Sequence, residues 1–167
     1  MLKSAPWPVE IIPSTPRDIS IVGMNMRPAD RAEFEASAEY PSLSQAAVFC
    51  HHVSDRYSAV VLLRGEPVAA FGAAGSPLQP HLRSAWAFGT SKFRRVVPWI
   101  TREVERWKPI LVADGVHRVE ARSLVGHDIA GIWLEGLGCA KEATLRCAGR
   151  HGEDFNLWAW VARDAQV

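Results

Sequence analysis

The sequence predicts a mixed α+β fold, with a largely antiparallel sheet flanked by helices, in a single domain. Segments with strand and helix patterns follow one another as strand, helices, hairpin, strand, helix, strand, helix, hairpin. Two apolar runs within residues 58–75 flank Arg64-Gly65-Glu66-Pro67, which predicts an antiparallel hairpin. Apolar residues between 93 and 111 recur at steps of three and four, which predicts one long amphipathic helix.

The first third of the sequence predicts one strand and three helices. Residues 9–12 form a short apolar run, and Pro16 then begins a helix capped by Thr15 or Ser14. A second helix is predicted over 27–40, and a third begins at Ser42 or Ser44 and runs to about residue 53. Three apolar side chains of the first helix region are expected to face inward: Ile19, Val22 and Met26.

The same local signals predict the strands and helices in the rest of the sequence. A strand is predicted over 82–89, and the long helix begins near Arg94 or Arg95, because Pro98 is tolerated only in a first helical turn. The remaining predicted elements are a strand over 118–124, a helix within 127–139, and closing strands at about 142–148 and 154–162. In that helix four apolar residues are expected to share one face, and Gly138 is expected to end it: Ile129, Ile132, Trp133 and Leu137.

Composition excludes several classes of protein. The chain has 167 residues, which predicts one domain over 1–167, and its net charge of +1 argues against a nucleic-acid surface spread over the whole chain. No apolar run approaches the roughly 18 residues that span a bilayer. Three cysteines make an odd count that suits a reducing compartment. We predict no metal site at Cys50-His51-His52, because adjacent ligands fit one ion poorly and no C-x-x-C or H-x-x-x-H partner is present.

Residues 127–139, H-D-I-A-G-I-W-L-E-G-L-G-C, together with the predicted order of elements, resemble the C-terminal half of the Gcn5-related N-acetyltransferases (GNAT). The resemblance implies a GNAT-like fold and, in active members, acetyl-CoA held by a loop R/Q-x-x-G-x-G/A. The matching segment here is G-T-S-K-F-R-R-V-V at 89–97, which lacks the paired glycines. Polar and basic residues at this helix start would contact the phosphates if acetyl-CoA binds, and otherwise form a polar cap: Thr90, Ser91, Lys92, Arg94 and Arg95.

A second signature of the resembled family, N-x-x-A-x-x-x-Y-x-x-x-G-F, aligns with the same helix. His127 stands at the Asn position and Leu134 at the Tyr position, where the resemblance implies a general acid for the leaving thiolate. Leucine has no proton to give, so no catalytic residue is assigned from the sequence.

One GNAT-like subgroup, the internal virion proteins of short-tailed phages, is similar to this chain in four segments: 26–33, 88–91, 133–138 and 152–155. This resemblance implies a phage-encoded protein that is packaged in the particle or needed to build it. Together with the missing glycines and Leu134, it favours a non-catalytic protein without a cofactor, located in the virion and the host cytoplasm and bound to other virion proteins. The alternative is an acetyl-CoA-dependent N-acetyltransferase acting on an amine, with the cofactor between strands 82–89 and 118–124. The sequence leaves the oligomeric state open.

Overall fold

A computed structural model describes residues 8–163 and shows a single sheet with helices on both faces. The strand order is β1-β2-β3-β4-β5-β7-β6, and every neighbouring pair is antiparallel except β4 with β5. This confirms the predicted α+β class. The elements are β1 Val9–Pro13, α1 Pro16–Met24, α2 Pro28–Ser37, α3 Leu43–His52, β2 Ser58–Leu63, β3 Glu66–Gly75, β4 Leu82–Gly89, α4 Val97–Ala113, β5 Arg118–Leu124, α5 Asp128–Gly136, β6 Ala140–Leu145 and β7 Phe155–Val161.

The helix starts confirm the capping residues that the sequence suggested. The Thr15 hydroxyl accepts a hydrogen bond from the Asp18 amide at 3.1 Å, and Ser42 accepts one from the Gln45 amide at 3.2 Å. A 3₁₀ turn, Phe93–Arg95, precedes α4, so the regular helix begins at Val97 and Pro98 lies in its first turn as expected. Gly138 has a φ of +78° just beyond α5, which confirms its predicted role in ending that helix.

Three elements differ from the sequence prediction at their boundaries. Helix α4 begins at Val97 rather than near Arg94 or Arg95. Helix α2 ends at Ser37 rather than residue 40, because Ala38 is extended and the Ser37 hydroxyl donates to the Phe34 carbonyl at 3.0 Å. Strand β6 lies two residues earlier than predicted at its start and ends at Leu145. The left-handed φ of +51° at Cys147 belongs to the turn that follows, so the strand cannot continue to residue 148.

The sheet separates two apolar layers. On one face β2 and β3 pack against α4, through buried side chains that include Val61, Phe71, Phe93, Val96 and Ile100. On the other face the same strands meet α1 and α3, and the expected inward residues Ile19, Val22 and Met26 are buried there. Within the described ranges no helix combines the length and apolar character that crossing a membrane requires.

Helix α5 confirms two of the four side chains predicted to face inward. Leu137 is buried and Trp133 packs against the core beside Phe93, but Ile129 and Ile132 are 65% and 68% exposed. The cause is Gly131, because a Cβ at this position would lie 2.8 Å from Cζ2 of Trp158. The helix therefore approaches β7 through its glycine, and this rotation turns the two isoleucines outward.

Candidate functional site

The parallel strands β4 and β5 part along their length. Their register joins Leu82 to Arg118, Arg83 to Val119 and Ser84 to Glu120, and stops there. Beyond this point, residues 85–89 of β4 and 121–124 of β5 form no ladder with each other in the described part of the chain. The facing edges of both strands thus carry main-chain groups without a strand partner, and they border an open gap.

A cavity of about 330 Å³ lies over this gap, on the face that carries α4 and α5. Its volume is in the range of small-molecule sites. Ala85 and Ala87 of the inner strand β4 are only half-buried because they open into it, whereas Ala69 and Ala70 of β3 are fully buried. The walls are mostly apolar and include Val104, Trp107, Leu111, Val119, Trp133, Leu134, Leu137 and Trp160.

A second, more polar groove of about 250 Å³ lies on the opposite face, beside α2. Its lining includes Ser37, Tyr40, Ser84, Glu120 and Arg122. The cavity and the groove are both bordered by the same residues at the gap, namely Asp30, Glu33, Ala85, Trp86, Ala87, Ala121 and Arg122. The gap is therefore a window through which a group bound on one face can meet a group bound on the other.

Helix α2 lies across this window at the end where β4 and β5 terminate. The Asp30 carboxylate accepts a hydrogen bond at 2.8 Å from the amide of Gly89, the last residue of β4. One turn later, Glu33 accepts one at 2.7 Å from the amide of Leu124, the last residue of β5. Residues three apart on a helix lie on the same face. Two carboxylates of one helix thus hold the ends of the two parted strands.

Arg27 completes the attachment of α2 to β4. Its guanidinium Nε pairs with Asp30 at 2.7 Å, and its own amide donates to the Gly89 carbonyl at 2.8 Å. The guanidinium also lies 4.1 Å from the centre of the Phe93 ring. Asp30, which is 3% exposed, is therefore a buried carboxylate whose charge is matched and whose oxygen is hydrogen-bonded.

Glu33 is the acidic group of the window with a perturbed proton affinity. Burial raises the pKa of its carboxyl above the ordinary value, and the Leu124 amide and nearby His127 oppose part of that effect. His127 Nδ1 lies 3.2 Å from the second carboxylate oxygen. A partly desolvated carboxylate at the border of both spaces can accept a proton from a group bound in either.

The predicted phosphate-contacting residues lie in the loop and the 3₁₀ turn just before α4, and they differ in their surroundings. Arg94 is exposed and lines the cavity, and Ser91 is exposed beside it. Lys92 pairs with Glu66 at 2.5 Å, and the Thr90 hydroxyl accepts from the Lys92 amide at 3.2 Å. Arg95 is also exposed. Their contact with phosphates stays a prediction.

Sequence reasoning did not assign Asp30 and underestimated Glu33. The sequence pattern predicts a solvated helix face for Glu33, Glu35 and Glu39, with a base for an amine substrate as the alternative. The Glu33 side chain is only 20% exposed and is hydrogen-bonded to β5. The available signal was the spacing of two acidic residues, Asp30 and Glu33, on one face of a helix after Arg27.

Other residues from the sequence analysis border the cavity or the groove. Leu134, at the position of the family's tyrosine, lines the cavity. Burial raises the pKa of the Cys50 thiol to about 12 and that of Cys139 to about 11, so both are protonated at neutral pH. Among residues 8–163, no three His, Cys, Asp or Glu side chains are grouped to hold a metal.

Comparison with known proteins identifies the fold. No protein-family model matches the sequence, and no curated protein matches it. Solved structures of acetyltransferases do match. An N-acetyltransferase from Staphylococcus aureus Mu50 superposes with a TM-score of 0.72 at 11% identity, over 93% of this chain and 99% of that one. A GNAT-family acetyltransferase from Bacillus anthracis gives a TM-score of 0.68 at 12% identity, over 93% and 95%.

A third neighbour, a proposed acetyltransferase from Salmonella typhimurium, was solved with its cofactor acetyl-CoA. It gives a TM-score of 0.71 at 10% identity, and the match covers 92% of this chain and 94% of that one. Identities this low show the fold alone. The chain has the fold of the Gcn5-related N-acetyltransferases.

Proposed function

We propose that this protein is an acetyl-CoA-dependent N-acetyltransferase that acts on an amine. The observation that carries the proposal is the window between β4 and β5, with an apolar cavity on one face and a polar groove on the other. A transfer reaction between two substrates needs both reacting groups at one point, and two spaces that meet at a window provide such a point. The solved acetyltransferases that share this fold support the same assignment.

The cavity fits the thioester and the pantetheine arm of acetyl-CoA. Its walls are mostly apolar, and the unpaired edge of β4 after Ser84 supplies main-chain groups that can bind the amides of an extended arm. Acetyl-CoA supplies an acetyl group activated as a thioester. Backbone N–H groups fixed along such an edge can stabilise negative charge that develops on a carbonyl oxygen.

Glu33 is our candidate for the base that receives the proton of the amine. It borders the cavity and the groove, and burial raises its pKa, which favours proton acceptance near neutral pH. The Leu124 amide fixes one carboxylate oxygen, so the side chain is held at the window. His127, 3.2 Å away, orients the second oxygen.

The test is acetyl transfer by the purified protein. Acetyl-CoA at saturating concentration is incubated with a panel of small amines, amino acids and peptides, and the released thiol is measured. Because a general base contributes about 10²–10⁴-fold, Glu33→Gln should lower kcat/KM by about 100-fold or more. Glu35→Gln is the matched control, since Glu35 is exposed on the same helix and should be dispensable. Absence of transfer to every acceptor by folded protein contradicts the proposal.

The phage virion role inferred from the four sequence segments stays a prediction. Leu134 at the tyrosine position favours a non-catalytic protein, but the structural neighbours described above give that role no support. Its partners and its location in the virion and host cytoplasm are expectations of the same kind. Copurification of the chain with phage particles is the measurement that checks them.

A further inference from the structure

Most backbone amides of the loop after β4 donate hydrogen bonds within the protein. Six consecutive or near-consecutive amides between Gly89 and Val96 donate within the protein. The bonds are Gly89 to Asp30 Oδ2 at 2.8 Å, Thr90 to Val68 O at 2.9 Å, Lys92 to Thr90 Oγ1 at 3.2 Å, Phe93 to Thr90 O at 3.0 Å, Arg95 to Lys92 O at 3.0 Å and Val96 to Phe93 O at 3.0 Å. The amides of this stretch without an acceptor among the described residues are those of Ser91, Arg94 and Val97, and no two of them are adjacent. A cradle for a diphosphate uses several free amides that converge on it, and this loop keeps no consecutive run of them.

The first turn of α4 offers few further free backbone amides. Pro98 has no N–H, and the amide of Trp99 donates to the Val96 carbonyl at 3.0 Å. Val97 is left as the first-turn residue whose amide has no acceptor within residues 8–163. The helix dipole is present, but it acts on anions chiefly through N–H groups that point out of the first turn.

The space above the loop is filled by the chain itself. A Cβ at Gly89 would lie 2.4 Å from Cδ2 of Phe93, so the Phe93 ring lies directly against the Gly89 backbone. The Arg27 guanidinium lies over the same ring, 4.1 Å from its centre.

The cavity, in contrast, has the mostly apolar lining that suits an extended, uncharged chain. It runs from Glu33 and Arg94 at the window toward Leu111 and Val119 near the other end of α4, with the half-buried Ala85 on its floor. This volume can take an alkyl-amide chain and a thioester without a charged group.

We infer that the protein recognises its acyl donor through the pantetheine thioester, and that the nucleotide diphosphate of acetyl-CoA contributes little to binding. The inference deepens the proposed function and rests on it for the choice of a pantetheine thioester as donor. The donor class accordingly extends to acyl-pantetheine thioesters that carry no nucleotide. Arg94, exposed at the cavity mouth, is the loop side chain placed to contact a phosphate, and an exposed charge binds weakly in water.

Calorimetric titration with three defined ligands tests the inference. They are acetyl-CoA, S-acetylpantetheine and 3′-phosphoadenosine 5′-diphosphate. The two thioesters should bind with Kd values within about fivefold of each other, and the nucleotide should neither bind at millimolar concentration nor displace them. A Kd for acetyl-CoA more than about 30-fold below that of S-acetylpantetheine overturns the inference, and so does a lack of binding by both thioesters.

A matched pair of variants locates any effect of the diphosphate. Arg94→Gln should weaken acetyl-CoA binding by less than about threefold, as should Arg102→Gln, an exposed arginine of the same helix region that does not line the cavity. Loss of more than about tenfold in Arg94→Gln for acetyl-CoA, without loss for S-acetylpantetheine, overturns the inference. Turnover separates the two proposals. Binding as expected without acetyl transfer contradicts the proposed function and leaves the donor inference standing.

Discussion

Replacing Ala85 by leucine tests whether the cavity has room for a larger side chain and is the space that the acyl donor occupies. Ala85 lies on the inner strand β4, yet it is half-buried because its methyl group faces the cavity of about 330 Å³. Leucine adds three carbon atoms, and at roughly 0.8 kcal/mol for each buried CH₂ the gain in stability has an upper limit of about 2 kcal/mol. For a domain of this size, that limit corresponds to a rise in Tm of about 4–8 °C. The same side chain would obstruct the donor.

Ala69→Leu is the matched control for that substitution. Ala69 lies on β3 beneath the same helix, but it is 0% exposed and borders neither the cavity nor the groove described above. Forcing three carbons into a filled core should destabilise the protein by about 1–3 kcal/mol. Denaturant unfolding measures both stabilities, and titration with acetyl-CoA measures whether Ala85→Leu abolishes donor binding. Equal destabilisation by both substitutions, or unchanged donor binding in Ala85→Leu, would refute the reasoning.

Three further substitutions test other parts of the site. The raised pKa of Glu33 means that the folded protein retains its proton to higher pH than the unfolded chain, so the free energy of unfolding falls as pH rises from the ordinary pKa through the folded one. Glu33→Gln should remove this fall, as unfolding curves at several pH values would show, and an unaltered pH dependence would contradict the assigned burial effect. Gly131→Ala should destabilise the protein by about 1–3 kcal/mol through contact with Trp158. Gly136→Ala on the same helix meets nothing within 4 Å and should stabilise the protein by about 0.5–1 kcal/mol, and denaturation midpoints in the opposite order would contradict this reasoning. Leu134→Tyr places a hydroxyl at the cavity wall and should raise kcat for acetyl transfer several-fold, while a kcat at or below that of the unchanged protein would show that the thiolate needs no acid there.

The order and type of the elements could be predicted from the sequence, because they depend on local signals. The hairpin around Arg64, the cap at Thr15 and the placement of Pro98 in a first helical turn each rest on residues within a few positions of one another. The fold class follows from that order, and the structure confirms it.

The window could not be predicted, because it depends on contacts far apart in sequence. Asp30 bonds a residue 59 positions away, and Glu33 bonds one 91 positions away. A periodic pattern marks acidic residues on a helix as polar, and it does not reveal that a strand end lies opposite them. The prediction that Ile129 faces inward failed for the same reason. Hydrophobic periodicity does not reveal the close approach that Gly131 allows to Trp158, which is distant in sequence.

The short register between β4 and β5 also divides the sheet into two cooperative units. One unit holds β1 to β4, and the other holds β5, β7 and β6, with three residue pairs of ladder between them. Opening the second unit therefore breaks few hydrogen bonds of the first, and its amides should exchange with solvent through a separate, lower-energy fluctuation. A ligand in the window contacts both strands and joins the units, so protection by the donor should extend across β5 and β7, beyond the residues that touch it.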